Sequence, residues 1–390
     1  SFASGKSGGT LYIGGTNAPR LPSSNAGNVI WAASGSNSIL NGSGTTTTIG
    51  GDFTINNSST IINNGSGGSA RTLTVAGDLN ILSGQYNPMG LPGSSSTSQI
   101  TTINGNLYLS GSGKLYAAQP KSGAGTGILN IKGNIYVQNP STSVVLSGGA
   151  ASKGSLILNG LSQQSFNIDP SVTTGQYTID SLTISNSNNV VLNSNLTLNN
   201  LTLTTGNIIL GSYTLTVNGA TSGTGKIQNT ASSVLEYSGT SAQTISNLNS
   251  TEVSSLVVKN TAGVTLADNL TAATVSINPD AKLTINADKT LTATSGITLN
   301  SDASGTATII NNGIIAATAT VEQYVTTGRN WYISSPVTNA TTASLSGKGS
   351  IYYYNEPTAE WLSPSDGSTL NPLRGYISRV TTSTGTVDFS

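Results

Sequence analysis

Few side chains of this chain could perform acid–base or metal chemistry, since its 390 residues include no His, no Cys and only 15 Asp and Glu. Three carboxylates lie close together in sequence, at Glu356, Glu360 and Asp366. They stand among Pro and Gly residues, which is typical of a solvated loop. A glycosidase built on stacked coils needs carboxylates that converge on one coil face. No such pairing recurs over residues 1–320, so the sequence predicts no catalytic residue and a protein that is not an enzyme.

Two further carboxylates, Asp52 and Asp78, occupy the same place in copies of one short phrase and could bind calcium at a turn. Asn replaces Asp in the next two copies, at Asn106 and Asn134. Calcium sites are built from carboxylate oxygens, so a carboxylate that is lost between repeats is a poor ligand. The sequence therefore predicts a turn with positive φ at each phrase. It predicts no metal-binding residue, no cofactor-binding residue and no cofactor.

Aromatic side chains near the C-terminal end could bind sugars. Tyr352, Tyr354 and Trp361 would offer flat faces on which pyranose rings stack. Tyr352 and Tyr354 flank a third tyrosine, and successive residues of a strand point to opposite sides. At least one member of the triplet is therefore expected in the core. Two interpretations of Tyr352, Tyr354 and Trp361 therefore remain: contact with glycans, or a purely structural role in packing.

A repeated phrase organises the chain that must position these residues. It reads apolar, any, Gly, Asp or Asn, apolar, any, apolar, and its glycines are Gly51, Gly77, Gly105 and Gly133. The steps between them are nearly equal, at roughly 27 residues, and a weaker copy follows at Gly160. Alternating apolar residues favour strands with one buried face. A fixed period in this range is typical of a solenoid, and we predict stacked coils of a parallel β-helix.

A longer repeat follows over residues 161–300. The stretch 181–184 matches 255–258, and 195–197 matches 269–271, both at the same offset. Gln164 and Gln243 precede these matches at a slightly longer offset. The interval predicts about three coils, each of roughly 25 residues. We therefore interpret residues 1–320 as one parallel β-helix.

The amino-acid composition changes at residue 321. Residues 321–390 hold nine of the 21 aromatic residues, and four prolines mark loops between short strands. This composition predicts a separate small β domain, sandwich-like, beside the end of the solenoid. The predicted fold class is thus all-β: a right-handed parallel β-helix at 1–320, followed by a small aromatic-rich β-sandwich-like domain at 321–390.

Composition excludes several kinds of partner. Fifteen Lys and Arg balance fifteen Asp and Glu, and only 8% of residues are charged, so no basic surface for nucleic acid is expected. No apolar run approaches the ~18 residues of a membrane-spanning helix. The first residues lack a charged segment followed by an apolar one, so we expect any signal peptide to have been removed. A surface of hydroxyl and amide groups favours a place outside the cell.

Two parts of the chain resemble large surface proteins of Bacteroidota. The first comprises residues 163–166, 179–187 and 190–192, which are similar to coils of those proteins. The second is the module that often follows such coils, here at residues 321–325 and 328–337, with further matches at 354–355, 361 and 375–376. The resemblance covers roughly residues 160–390.

The resemblance implies export by a type IX secretion system and display on the outer-membrane surface of a Gram-negative bacterium, as for the adhesins of gliding bacteria. Expected partners are extracellular surfaces or glycans, and type IX translocon components during export. O-glycosylation is implied at Ser181, within Asp180-Ser181-Leu182. The final module is expected to be truncated here, before a sorting domain. Two alternatives remain: a carbohydrate-binding or diverged polysaccharide-lyase-like β-helix, and a cargo bound to its translocon.

Overall fold

The fold is taken from a computed structural model of the chain. The structure describes residues 8–16, 21, 24–25, 27–34, 37–38, 46–63, 70–88, 99–116, 127–138, 144–145, 154–172, 177–248 and 252–390. Strands hold 57% of the residues and helices 1%, and the strands form a parallel β-solenoid of about nine turns. The all-β class and the parallel β-helix are therefore confirmed. The right-handed sense of the coil and the terminal sandwich stay predictions.

Contacts divide the chain into two compact units. The first unit comprises residues 1–228 and 247–249, and the second comprises residues 229–246 and 250–390. The predicted boundary at residue 320 lies inside the second unit, where one strand runs from Ile314 to Val325.

The strands of the first unit are short and follow one another with the period of the coils. They are β1 (Thr10–Ile13), β2 (Ser24–Asn25), β3 (Asn28–Trp31), β4 (Asn37–Ser38), β5 (Thr46–Ile49), β6 (Phe53–Asn63), β7 (Arg71–Val75), β8 (Leu79–Asn87), β9 (Gln99–Ile103), β10 (Leu107–Leu109), β11 (Lys114–Tyr116), β12 (Gly127–Ile131), β13 (Ile135–Val137), β14 (Val144–Val145), β15 (Gly154–Leu158), β16 (Gln164–Ile168), β17 (Tyr177–Thr178), β18 (Ser181–Ser185), β19 (Val190–Leu192), β20 (Leu196–Leu198), β21 (Asn200–Thr205), β22 (Ile208–Ile209), β23 (Thr214–Val217), β24 (Thr221–Gly223) and β25 (Ile227–Gln228).

Parallel ladders join each coil of the first unit to the next. One sheet runs in the order β1-β3-β6-β8-β10-β13-β16-β19-β22-β25, and a second runs β2-β5-β7-β9-β12-β15-β18-β21-β24. Alternate residues point inward and are fully buried, as Leu129 and Ile131 of β12 are. Their pairing partners in β15, Leu156 and Leu158, are buried too. Like side chains therefore stack in columns, which gives the solenoid its apolar core.

The coils are shorter in the region of the long repeat than we predicted. Leu196 pairs with Leu215, and the side chain of Asn195 bonds the backbone of Thr214, 19 residues away. In the second unit Thr274 bonds Ser255, again 19 residues away. The predicted length is therefore wrong for these coils, while the coil in which Gln164 pairs with Val190 and Asn193 bonds Asn167, 26 residues away, keeps the longer step. An equal offset between two pairs of matching stretches shows that they occupy equivalent positions in the repeat. It does not give the number of coils between them, and so it does not give the length of a coil.

The second unit holds a further stack of coils and an antiparallel region. Its strands are β26 (Val234–Tyr237), β27 (Gln243–Ile245), β28 (Glu252–Val258), β29 (Val264–Leu266), β30 (Leu270–Ile277), β31 (Lys282–Ile285), β32 (Thr290–Leu299), β33 (Thr308–Asn311), β34 (Ile314–Val325), β35 (Arg329–Ile333), β36 (Gly349–Asn355), β37 (Glu360–Leu362), β38 (Tyr376–Val380) and β39 (Gly385–Phe389), with a 3₁₀ helix at Thr342–Leu345.

Pairing in the second unit changes from parallel to antiparallel at β34. Strands β26, β28, β30, β32 and β34 pair in parallel, while β39 pairs antiparallel with β34. A separate four-stranded antiparallel sheet has the order β35-β38-β36-β37. Its inner side covers a small core that includes Val325, Leu370, Tyr376 and Phe389.

Within the described residues, no helix is both long and apolar enough to cross a membrane.

Candidate functional site

The Gly-Asp and Gly-Asn phrases form a ladder of side chains along one corner of the first unit. The Oδ1 atom of Asp52 accepts a hydrogen bond of 2.8 Å from the backbone N–H of Asp78 in the next coil. Asp78 accepts in the same way from Asn106 at 2.6 Å, and Asn106 accepts from Asn134 at 2.8 Å. Each side chain thus satisfies a backbone donor one coil further on. This is the structural corner that the repeat predicts.

The reason for the glycine differs from our prediction. Gly51, Gly77, Gly105 and Gly133 do not have positive φ. A Cβ atom on Gly77 would instead lie 2.1 Å from the Oδ1 atom of Asp52. Close stacking of the coils leaves no room for a side chain there, so the glycine is required by steric contact between coils.

The carboxylates that lie close in sequence do not form one site. Glu356, Glu360 and Asp366 are all exposed. Asp366 alone of the three lines a cleft of about 510 Å³ beside the 3₁₀ helix. Among the described residues, no three His, Cys, Asp or Glu side chains are close enough together to hold a metal ion.

The aromatic residues singled out in the sequence come together on one face of the four-stranded sheet. Tyr354 of β36 pairs directly with Trp361 of β37. Tyr352 lies two residues before Tyr354 and therefore on the same side of the strand. Tyr352 also pairs with Ile377 of β38, and Ile377 pairs with Tyr332 of β35. We call the set Tyr332, Tyr352, Tyr354 and Trp361 the aromatic face.

The aromatic face is open to solvent. The exposed fractions are 78% for Tyr332, 54% for Trp361, and 39% for both Tyr352 and Tyr354. The ring centroids of Tyr354 and Trp361 are 5.4 Å apart, with an angle of 58° between the ring planes. Large aromatic side chains usually bury most of their area, so four exposed rings on one sheet make this face a candidate binding surface.

The middle residue of the tyrosine triplet lies on the other side of the sheet. Tyr353 packs against the small core and makes an edge contact with Tyr376, at 6.3 Å between centroids. The guanidinium of Arg374 lies 3.7 Å from the Tyr353 ring centroid. The prediction that at least one member of the triplet belongs to the core is confirmed.

A shallow pocket of about 310 Å³ opens on the aromatic face. Its lining combines Tyr352 and Trp361 with Asn330, Ile377 and Arg379. Sequence reasoning missed Tyr332, Asn330 and Arg379, which lie on strands distant in sequence from the triplet. The sequence did offer one signal for Asn330 and Tyr332. In a strand over residues 329–332, these two side chains point to one side of the sheet, and Arg329 and Trp331 point to the other. The latter two contact each other, with the Arg329 guanidinium 4.3 Å from the Trp331 ring centroid.

Ser181, the residue expected to carry a sugar, begins β18 of the first unit. It pairs with Ser155 in one neighbouring coil and with Asn200 in the next. Its side chain is half-buried and lies on the outward side of the strand, opposite the buried Leu182. O-glycosylation of Ser181 stays a prediction.

Comparison with known proteins gives no match to a protein family, to a curated protein or to a solved structure. The geometry of the aromatic face and the amino-acid sequence are therefore the observations that bear on function. The kinship with type IX-secreted surface proteins of Bacteroidota stays a prediction.

Proposed function

We propose that this protein is an extracellular adhesive protein in which a β-solenoid scaffold carries a surface that binds glycans. The observation that supports this most directly is the aromatic face, on which four Tyr and Trp side chains remain exposed on one sheet. Such a surface costs solvation free energy unless a partner covers it. Glycans suit it, because a pyranose ring presents C–H groups on its faces and hydroxyls at its rim. Tyr and Trp combine an apolar ring with a polar group in the same way.

The scaffold supports adhesion through its construction. Parallel ladders and corner hydrogen bonds hold the coils together, and the sequence contains no Cys from which a disulfide could form. In a solenoid each coil contacts only its neighbours, so added coils extend the scaffold without a new kind of core. Many copies displayed on one surface would bind a polymeric glycan with an avidity above that of one site. The proposed activity is binding without turnover.

The proposed location is the outer-membrane surface of a Gram-negative bacterium, reached through type IX secretion. The resemblance at residues 163–192 and 321–376 supports this part of the proposal, as does the low charge of the chain. Antibodies against the chain should label intact cells of the source organism. Disruption of the type IX translocon should abolish this labelling and leave the protein inside the cell. Unchanged labelling would contradict the export route, and stable co-purification with the translocon would favour the cargo alternative.

Removal of two rings tests the glycan-binding surface. We expect the double variant Tyr354→Ala and Trp361→Ala to lower the affinity of the purified chain for its glycan at least about tenfold. The reason is that loss of aromatic anchors in a binding surface commonly costs about 2 kcal/mol or more. A glycan array identifies the ligand, and titration calorimetry with that ligand measures the affinities.

The control is Tyr12→Ala, which removes a tyrosine that is 66% exposed in the first unit. Its affinity should equal that of the unaltered chain, and thermal unfolding should show that all variants are folded. Equal affinity of the double variant would place binding elsewhere. A complete absence of array binding would contradict the glycan proposal, and eliminative cleavage of a polysaccharide would contradict binding without turnover.

A further inference from the structure

One charged side chain lies within the pocket of the aromatic face. Arg379 belongs to β38, a central strand of the four-stranded sheet, and its side chain is exposed. It pairs with Asn330 of β35 on one side and with Ser350 of β36 on the other. Directly opposed residues of antiparallel strands share a face. The three therefore form a polar row across the sheet.

The polar row runs beside an apolar one. The neighbouring row on the same face lies two residues further along each strand. It consists of Ile377, which pairs with Tyr332 on one side and with Tyr352 on the other. Rows separated by two residues of a strand are about 7 Å apart. The face thus offers stacking surface and hydrogen-bond donors side by side. An amphipathic ligand with an apolar ring face and a polar substituent at its edge fits this arrangement.

Among the residues that the structure describes, no carboxylate forms an ion pair with Arg379. Within the continuous described stretch 252–390, no carboxylate oxygen lies within 4.0 Å of its guanidinium, and no other charged residue lines the pocket. The one ion pair among the described residues joins Lys259 and Glu236. A guanidinium presents parallel N–H donors in a planar fork that matches a carboxylate.

We propose that the aromatic face selects acidic glycans, with Arg379 binding the carboxylate of a uronic-acid residue while its sugar ring stacks on the aromatic rings. Asn330 and Ser350 flank the carboxylate and can bond neighbouring hydroxyl groups. This inference rests on the proposed function, since it names the class of glycan that the same surface binds. Charge complementarity commits it to a carboxylate-bearing polysaccharide.

Polygalacturonate and its full methyl ester provide the test, because they share a backbone and differ in charge. Titration of the purified chain should show binding of polygalacturonate about tenfold tighter than binding of the ester. Charge-assisted hydrogen bonds to a carboxylate justify this size of effect. Arg379→Gln should remove the difference, with about tenfold weaker binding of the acid and unchanged binding of the ester. Dextran sulfate, whose charge is not a planar carboxylate, should bind more weakly than polygalacturonate.

Lys132→Gln is the matched control, since it removes one positive charge from an exposed side chain at a coil corner of the first unit. It should leave both affinities unchanged, and equal losses in the two variants would overturn the role of Arg379. Equal binding of the acid and the ester would overturn the acidic selectivity while leaving the glycan-binding proposal intact. Binding of neither polymer, together with an empty glycan array, would overturn both. Dextran sulfate binding as tightly as polygalacturonate would overturn the carboxylate assignment.

Discussion

Replacing Gly133 with alanine is expected to lower the free energy of unfolding of the first unit by about 3 kcal/mol, at the upper end for an overpacked site. A Cβ atom at this position would lie 2.4 Å from the carbonyl oxygen of Gly105 in the coil below. All of the nearest atoms belong to the backbone, so no side chain can rotate away. The coils would have to separate, which strains the 2.9 Å hydrogen bond from Gly133 N–H to Gly105. Urea unfolding and hydrogen exchange of residues 127–138 would measure the change.

Gly9→Ala is the control for this substitution. Gly9 also lies in the first unit and lacks positive φ. Apart from its two chain neighbours, no described residue has an atom within 4 Å of the position that its Cβ would take. We expect Gly9→Ala to change the stability by less than about 1 kcal/mol, or to raise it slightly through the unfolded chain. If the two alanine variants unfold at the same urea concentration, contact between coils does not explain the glycine of the repeated phrase.

Asn186→Ala and Asn260→Ala are expected to destabilise their own units by similar amounts, about 3 kcal/mol each. Both side chains are fully buried. Asn186 donates to the side chain of Gln164 at 2.9 Å and to the carbonyl of Ser162 at 2.8 Å. Loss of the amide removes a donor from the buried oxygen of Gln164 and from the part-buried carbonyl of Ser162, and each buried group left unsatisfied costs about 1–3 kcal/mol.

The second unit repeats these two hydrogen bonds between the same types of atoms. Asn260 donates to Gln243 at 2.8 Å and to the carbonyl of Ser241 at 2.7 Å. The oxygen of Gln243 also accepts from Gly239 N–H at 2.9 Å, as that of Gln164 does from Gly160 at 2.8 Å. The two alanine variants should therefore give matching losses of hydrogen-exchange protection, each around its own asparagine.

Asn193→Ala is the control for both asparagine variants. Asn193 is exposed, and its side chain donates to Asn167 at 2.9 Å where water can replace the bond. Its loss should cost less than about 1 kcal/mol, because solvent satisfies both partners. A loss for Asn193→Ala as large as that for Asn186→Ala would show that burial of the network does not set its contribution. A loss in only one of the two units would show that the repeated networks are not equivalent.

These networks explain why the long repeat keeps its polar residues. In the sequence, Gln164 and Gln243 are separated by a longer offset than the matching strands that follow them. Each Gln closes a corner by bonding a glycine N–H four residues earlier, and it bonds the Asn of a following coil. A buried polar network is favourable only when it is fully satisfied. Its members must therefore recur together, while the loop between them can differ in length.

The sequence alone determined the features that depend on a single strand. Alternation of apolar and polar residues identified the strands, because side chains of a strand point to opposite sides in turn. The same rule predicted that at least one of the three successive tyrosines Tyr352, Tyr353 and Tyr354 belongs to the core. The regular return of the Gly-Asp phrase identified the solenoid, since stacked equivalent coils require one phrase at a fixed interval.

Tertiary structure decided everything that depends on which strands are neighbours. The glycine of each phrase is required by the coil beneath it, and the local sequence does not contain that contact. The sequence did not predict the coil of 19 residues, because the offset between matching stretches does not show how many coils lie between them. Tyr332 lies on the aromatic face, and Arg379 lies beside it, only because the strands pair in the order β35-β38-β36-β37. Pairing order is set by packing across the whole sheet, so a binding surface assembled from four strands is not visible in any one of them.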